Sequence, residues 1–250
     1  MNDDELTGLR ALVTGAAGGI GAAVAGRLAS LGAHVIVCDV DAAGATEVAG
    51  RIGGEALPLD LSRTAELAGL AIEADILVNN AGVQHVSPVE EFDPERFSFM
   101  LRLMLEAPFL LSRAVLPAMY AKGWGRIVHI SSVHGIRASA YKSAYVSAKH
   151  GLEGLSKVLA VEGAGRGVTS NCVCPGYVRT PLVEKQIEDQ SRVHGLPPGQ
   201  VVSDVLLTRP AIKRLIDPEE VAGAVAYLCS PQASYVTGTR LVLDGGWSAT

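Results

Sequence analysis

Aromatic residues are scarce in this 250-residue chain, with Phe, Trp and Tyr together making 5% of it. That leaves little for a surface on which bases would stack. Positive charge is also short, 21 Lys and Arg against 26 Asp and Glu, and the net charge of −5 speaks against nucleic acid or an anionic membrane as partner. No apolar run is long enough to span a bilayer. The acidic start MNDDELTG lacks the apolar stretch of a signal peptide, so a cytoplasmic location is expected. The four cysteines, Cys38, Cys172, Cys174 and Cys229, show no C-x-x-C or Cys/His spacing. They are expected to be buried thiols in a reducing compartment, and no metal is expected. With no internal repeat, low-complexity tract, Ser/Pro-rich linker or charge block, residues 1–250 are expected to form one domain.

What is present is a rhythm. Short β-branched runs (RALVTG, HVIVCD, ALPLD, DILVNNAG, GRIVHISS, VTSNCVCPG, RLVLDGG) alternate with helix-period segments, including a long one from Pro94 to Lys122. Repeated strand and helix imply right-handed parallel crossovers, hence an α/β doubly wound parallel sheet. Runs such as HVIVC and RIVHI are apolar at successive positions, as strands covered on both faces require. Residues 182–215 break the pattern. They are polar and Pro-containing, and are expected to form a small helical lid over a substrate.

TGAAGGIG, residues 14–21, closes the first strand and opens the first helix. Glycine here allows a tight turn and close backbone approach to a pyrophosphate seated on the free N–H groups of the helix start. Asp39 ends the second strand, where a carboxylate accepts hydrogen bonds from both ribose hydroxyls and repels a 2′-phosphate. Ala16, Ala17 and Val40 offer no compensating cation, so the expected cofactor is NAD rather than NADP. Asp60 is placed at the end of the third strand, within reach of the adenine, although a turn-forming Asp explains it nearly as well.

Lys142, Tyr145 and Lys149, spaced i, i+3, i+7, share one helical face. Together with TGAAGGIG, NNAG (79–82), Ser132, YVSAK (145–149) and PGYVRT (175–180), in this order and across the whole chain, the motif set resembles the short-chain dehydrogenase/reductase family. The resemblance implies a Rossmann-type sheet of about seven strands and a homotetramer or homodimer. It implies Ser132, Tyr145 and Lys149 as catalytic residues. The cofactor contacts it implies are Gly15, Gly19, Ile20, Gly21, Asn80, Gly82, Lys149, Pro175, Val178 and Thr180. The chemistry is coherent: oxidising a secondary alcohol needs a base for the hydroxyl proton while hydride leaves for the nicotinamide. A free phenol of pKa ~10 is too weak an acid, and a neighbouring ammonium together with the cationic nicotinamide ring would lower it.

Narrower features, AGVQHVSPVEEF, SSVHG, Lys142 and PLVEKQIEDQ, resemble the branch of that family acting on D-3-hydroxybutyrate. There the matching Gln84, His134, Lys142 and Gln186 hold a small hydroxy acid by its carboxylate, and Tyr177 stands where a tryptophan covers the methyl group. His85 and His129 read as structural. One departure stands out: Met104 occupies the position of the family's catalytic asparagine and cannot donate a hydrogen bond. Pro108, four residues on, has no N–H, so the helix is expected to kink and free the Met104 carbonyl, which in the family binds a relay water. The expected activity is NAD-dependent interconversion of D-3-hydroxybutyrate and acetoacetate. The alternatives are action on another 3-hydroxy acid, alcohol or sugar, or an NAD-binding regulator impaired through Met104.

Overall fold

The seven β-branched runs form seven strands, β1 (Arg10–Thr14), β2 (His34–Asp39), β3 (Glu55–Pro58), β4 (Ile76–Asn79), β5 (Gly125–Ile130), β6 (Val168–Pro175) and β7 (Arg240–Leu243). They make one sheet of order β3-β2-β1-β4-β5-β6-β7, and every pairing is parallel. The computed structural model describes residues 5–249 except 182, 185, 186, 189, 190 and 192–194. The expected doubly wound α/β architecture is thus the one observed. All four cysteines are buried and unpaired in disulfides, as expected.

Each face of the sheet carries its own apolar layer. On one face lie α1 (Gly19–Ser30), α2 (Ala42–Ile52) and α8 (Pro218–Cys229), which bury Val24, Leu28, Val48, Val221 and Val225 against β1 and β2. Gly21 and Ala25 on α1 and Ala222 and Ala226 on α8 are among the buried residues of these two helices, which pack against each other. The other face is covered by α5 (Ala107–Lys122) and α6 (Ser143–Gly163), with the short α3 (Thr64–Leu67); Leu111, Val115, Met119 and Leu159 meet Leu12, Leu77 and Ile127 there. Helix ends follow local chemistry. Asp41 caps α2 by accepting from the Gly44 N–H at 3.1 Å, and α8 opens on a capping box of Asp217 and Glu220.

Two boundaries differ from expectation. β3 stops at Pro58, so Asp60 lies two residues beyond the strand rather than at its end. The expected long helix is split into α4 (Pro94–Leu101), a π-helical turn over Arg102–Glu106, and α5. Pro108 accounts for the irregularity, because a residue without N–H cannot close an i to i+4 bond in that turn. The region from 182 to 215 includes the short helix α7 (Pro198–Val201) and a second π-helical turn, Val202–Leu206. Val183, Ile187, Val201 and Leu215 make a small apolar cluster of their own beside Tyr177.

The sheet's central strands bear most of this packing, and Leu77 on β4 has no exposed surface. Leu77→Ala should lower unfolding stability by about 2–5 kcal/mol. Denaturant titration is expected to show a reduced midpoint with an unchanged slope.

Candidate active site

Strand order reverses between β1 and β4, and the crevice outside their C-terminal ends is where an open parallel sheet binds ligands. A cavity of about 600 Å³ lies there, running from Asp39 and Asp60 past Asn80 to Ser132, Tyr145 and Lys149. Its floor is a hydrogen-bonded clamp. Thr14 Oγ1 accepts from the N–H groups of Asn80 (2.9 Å) and Ala81 (3.1 Å), while the Asn80 amide donates to the carbonyls of Thr14 (2.9 Å) and Gly15 (3.0 Å). Asn80 therefore acts here by locking the glycine turn to the end of β4.

The glycines are demanded by contact. A Cβ at Gly15, whose φ is +62°, would sit 2.8 Å from the Ala81 Cα. One at Gly21 would sit 2.1 Å from the Gly15 oxygen. The cradle between this turn and the N-terminus of α1 is thus open only while both stay bare, as the close approach of a pyrophosphate needs. From the opposite wall Thr180 faces Gly19, and Ile20, Pro175 and Val178 complete the lining. Asp39 receives the N–H groups of Ala17 and Asp41, each at 3.0 Å, which fixes its carboxylate at the rim beside the exposed Val40. Asp60 also lines the cavity, but its carboxylate is held by the N–H (2.9 Å) and hydroxyl (2.7 Å) of Ser62. These bonds, with Arg63 behind them, keep its pKa below the usual carboxylate value.

At the other end of the cavity, Ser132 follows β5, and Tyr145 and Lys149 come from the first two turns of α6. Lys149 is buried and donates to the Ile130 carbonyl at 2.7 Å, its ammonium 5.5 Å from the Tyr145 ring centre. Burial pushes Lys149 down to about 8, opposed by Cys172, Cys174 and Glu153. The lowering expected of Tyr145 calls on the cationic nicotinamide ring as well as Lys149. With protein groups alone, burial outweighs the Ser132 hydrogen bond and raises the phenol, with Tyr177 adding to the rise. His129, inside β5, meets Asn79 at 3.2 Å and Ser170 at 3.4 Å, and burial with Lys149 nearby depresses it to about 3, so it is a neutral structural histidine as expected.

The expected acid-binding residues are placed less evenly. Lys142, at the start of α6, is 8% exposed; its ammonium makes no ion pair or hydrogen bond with a described residue and lies 5.8 Å from the Tyr177 ring centre. Tyr141 before it is the single described non-glycine residue at positive φ, +67°, and its carbonyl accepts from Ser87 at 2.9 Å. This strained turn aims Lys142 inward and ties it to the loop of Gln84, whose Oε1 is buried without a partner. His134 is buried. Its Nε2 lies 2.9 Å from the Ser139 hydroxyl and its Nδ1 3.4 Å from that of Ser132. Burial, then Lys142, Arg209 and His150, bring it down to about 4, so it is neutral near pH 7. Gln186 lies outside the described residues. Sequence reading missed Trp247 and Arg209: Trp247 stacks on Tyr177 (5.8 Å) and meets His134 edge-on (5.6 Å), and the Arg209 guanidinium lies over the Trp247 ring, 5.7 Å from its centre. Only the fold brings the chain's end here, and no local motif announces it.

Met104 is buried, with its sulfur against Gly82. It sits within the π-helical turn, where the Ala107 N–H reaches back five residues to the Arg102 carbonyl.

A doubly wound parallel sheet with a bare glycine turn at its switch point, and a serine, tyrosine and lysine at the far end of the same cleft, defines a nicotinamide-dinucleotide oxidoreductase. The chain belongs to the short-chain dehydrogenase/reductase family: the family model described as enoyl-(acyl carrier protein) reductase matches residues 15–248. It is 44% identical to D-beta-hydroxybutyrate dehydrogenase of Rhizobium meliloti over 253 residues, covering 96% of this chain and 98% of that protein. It is 42% identical to the enzyme of the same name from Cupriavidus necator over 259 residues, covering 98% and 99%. Among solved structures, a putative 2-deoxy-D-gluconate 3-dehydrogenase from Agrobacterium tumefaciens with bound NADP is similar at a TM-score of 0.87 and 34% identity, covering all of both chains. No helix among the described residues is long and apolar enough to cross a membrane, and they hold no cluster of three metal-ligating side chains.

Because a Cβ at Gly21 would collide with backbone, Gly21→Ala should weaken binding of a reduced nicotinamide dinucleotide by about tenfold or more, some 1.4 kcal/mol, in a fluorescence titration.

Proposed function

We propose that the protein is an NAD-dependent D-3-hydroxybutyrate dehydrogenase. The observation that carries this reading is the buried ammonium of Lys142, without a carboxylate partner among the described residues and close to Tyr177. A buried charge is costly unless paired, so the site favours a substrate that brings the carboxylate. Gln84, with its unpartnered Oε1, lies on the adjoining loop. Tyr177 and Trp247 offer an apolar wall for a short alkyl tail, and the identity of about two residues in five to the two hydroxybutyrate enzymes supports the same choice. His134, uncharged near neutrality, contributes a hydrogen bond rather than a charge.

In this reading Gly15, Gly19 and Gly21 at the start of α1 would hold the pyrophosphate of the dinucleotide, and Asp39 would hold its ribose hydroxyls. NAD is preferred because Asp39 would repel a 2′-phosphate; the NADP carried by a similar structure is the competing case. When bound, the nicotinamide supplies the hydride acceptor and a positive ring. Ser132 holds the substrate oxygen, Tyr145 takes its proton, and Lys149 steadies the phenolate as that added charge offsets the burial of Tyr145. The segment 182–215 closes over the substrate, and the working form is a homotetramer in the cytoplasm.

Purified protein mixed with NAD and D-3-hydroxybutyrate is expected to produce NADH absorbance, and Tyr145→Phe to abolish it. Lys142→Ala should raise KM for hydroxybutyrate at least about tenfold while barely altering KM for a neutral alcohol; an equal effect on both would remove the carboxylate anchor. Pro108→Ala returns an N–H donor to the Met104 carbonyl and regularises the π-helical turn. It should lower kcat severalfold with little change in KM, and unchanged turnover would show that this carbonyl plays no part.

A further inference from the structure

The mechanism leaves the buried acid of α6 unused. Glu153 is 7% exposed, one helical turn beyond Lys149 on α6, and it makes no ion pair with a described residue. Its Oε1 accepts from the Cys174 thiol of β6 at 3.0 Å, a weak donor for a buried carboxylate. On the other side is the loop that carries Ser132 and His134: a Cβ at Gly135 would come within 3.2 Å of the same oxygen and 2.4 Å of the Ser131 hydroxyl. Glu153 thus touches the strand, the helix and the loop that together hold the reacting groups.

We propose that Glu153 is a positioning residue, the counter-charge that keeps the Lys149 ammonium charged behind Tyr145, with Cys174 fixing the carboxylate in that place. The inference rests on the assignment of Lys149 to the reaction. The groups facing Lys149 are Tyr145 and Glu153 on α6, Cys172 and Cys174 on β6, and His129 on β5. Burial holds the Cys172 thiol up at about 12 and raises Cys174 as well, so both are neutral, and so is His129. Among the described residues Glu153 is therefore the acid left to support the ammonium. The need is specific to oxidation of an alcohol, which releases a proton and is favoured at alkaline pH. There a buried lysine near 8 begins to lose its charge, and whatever depended on that charge is lost as pH rises through its pKa.

The test follows Lys149 directly, by the 13C shift of its ε carbon in lysine-labelled protein without added dinucleotide, the signal being assigned by its loss in Lys149→Met. Glu153→Gln should lower the titration midpoint by about half a unit or more, roughly threefold in the proton dissociation constant. Glu153→Asp should fall less, and Cys174→Ser, which keeps a donor, should stay near the wild-type midpoint. In kinetics the alkaline fall of kcat/KM should begin at correspondingly lower pH in Glu153→Gln. An unmoved midpoint in a Glu153→Gln protein with wild-type circular dichroism overturns the proposal, as does an Asp variant that falls as far as Gln. If Glu153→Gln does not fold, Glu153→Gln/Cys174→Val, which removes carboxylate and donor together, carries the same measurement. Turnover retained in Lys149→Met would instead overturn the role given to Lys149 in the reaction, and the midpoint would still decide the pairing with Glu153.

Discussion

The clamp between Thr14 and Asn80 is the constraint on which the site depends. Beyond β1 and β4 the chain departs in different directions, so the backbone groups of both turns lose their ladder partners just where ligand space opens. The Thr14 hydroxyl and the Asn80 amide replace those partners across the gap, and they hold Gly15 against Ala81 closely enough that no side chain fits between. From that fixed floor the placement of Asp39, Thr180 and the start of α1 follows.

α6 organises the opposite half as a single charged column laid into an apolar fold. Lys142, Tyr145, Lys149 and Glu153 recur at helical spacing, and each is buried or half-buried. Burial lowers both lysines and raises the phenol. In the proposed reading, charge on this face is sustained by neighbours, a protein carboxylate at the inner end and a ligand's groups along the outer part. The same burial makes His129 and His134 neutral, which removes two competing cations from the site.

Relatives that share the fold carry names pointing to hydroxy acids and to sugar acids, so fold cannot choose the substrate. The side chains around the cleft bear on that choice: Tyr177 stacked on Trp247, Arg209 beside them, and Met104 packed on Gly82 inside a π-helical turn.

Strand and helix alternation, the seven strands, the glycine turn and the Ser132, Tyr145 and Lys149 set were legible in the sequence, because each is encoded by a local pattern or by a motif whose spacing a parallel crossover preserves. Pro108 likewise announced an irregular helix, since the loss of an N–H is a local fact. What only the tertiary structure decided depends on residues distant in sequence. Trp247 reaches the site from the chain's end, Asn80 works as a clamp on Thr14, Glu153 turns to a thiol on β6, and Lys149 turns to the Ile130 carbonyl. Protonation belongs to this second group as well: it is set by burial and by the sign of neighbouring charge, and neither exists until the sheet and its two helical layers have closed around the column.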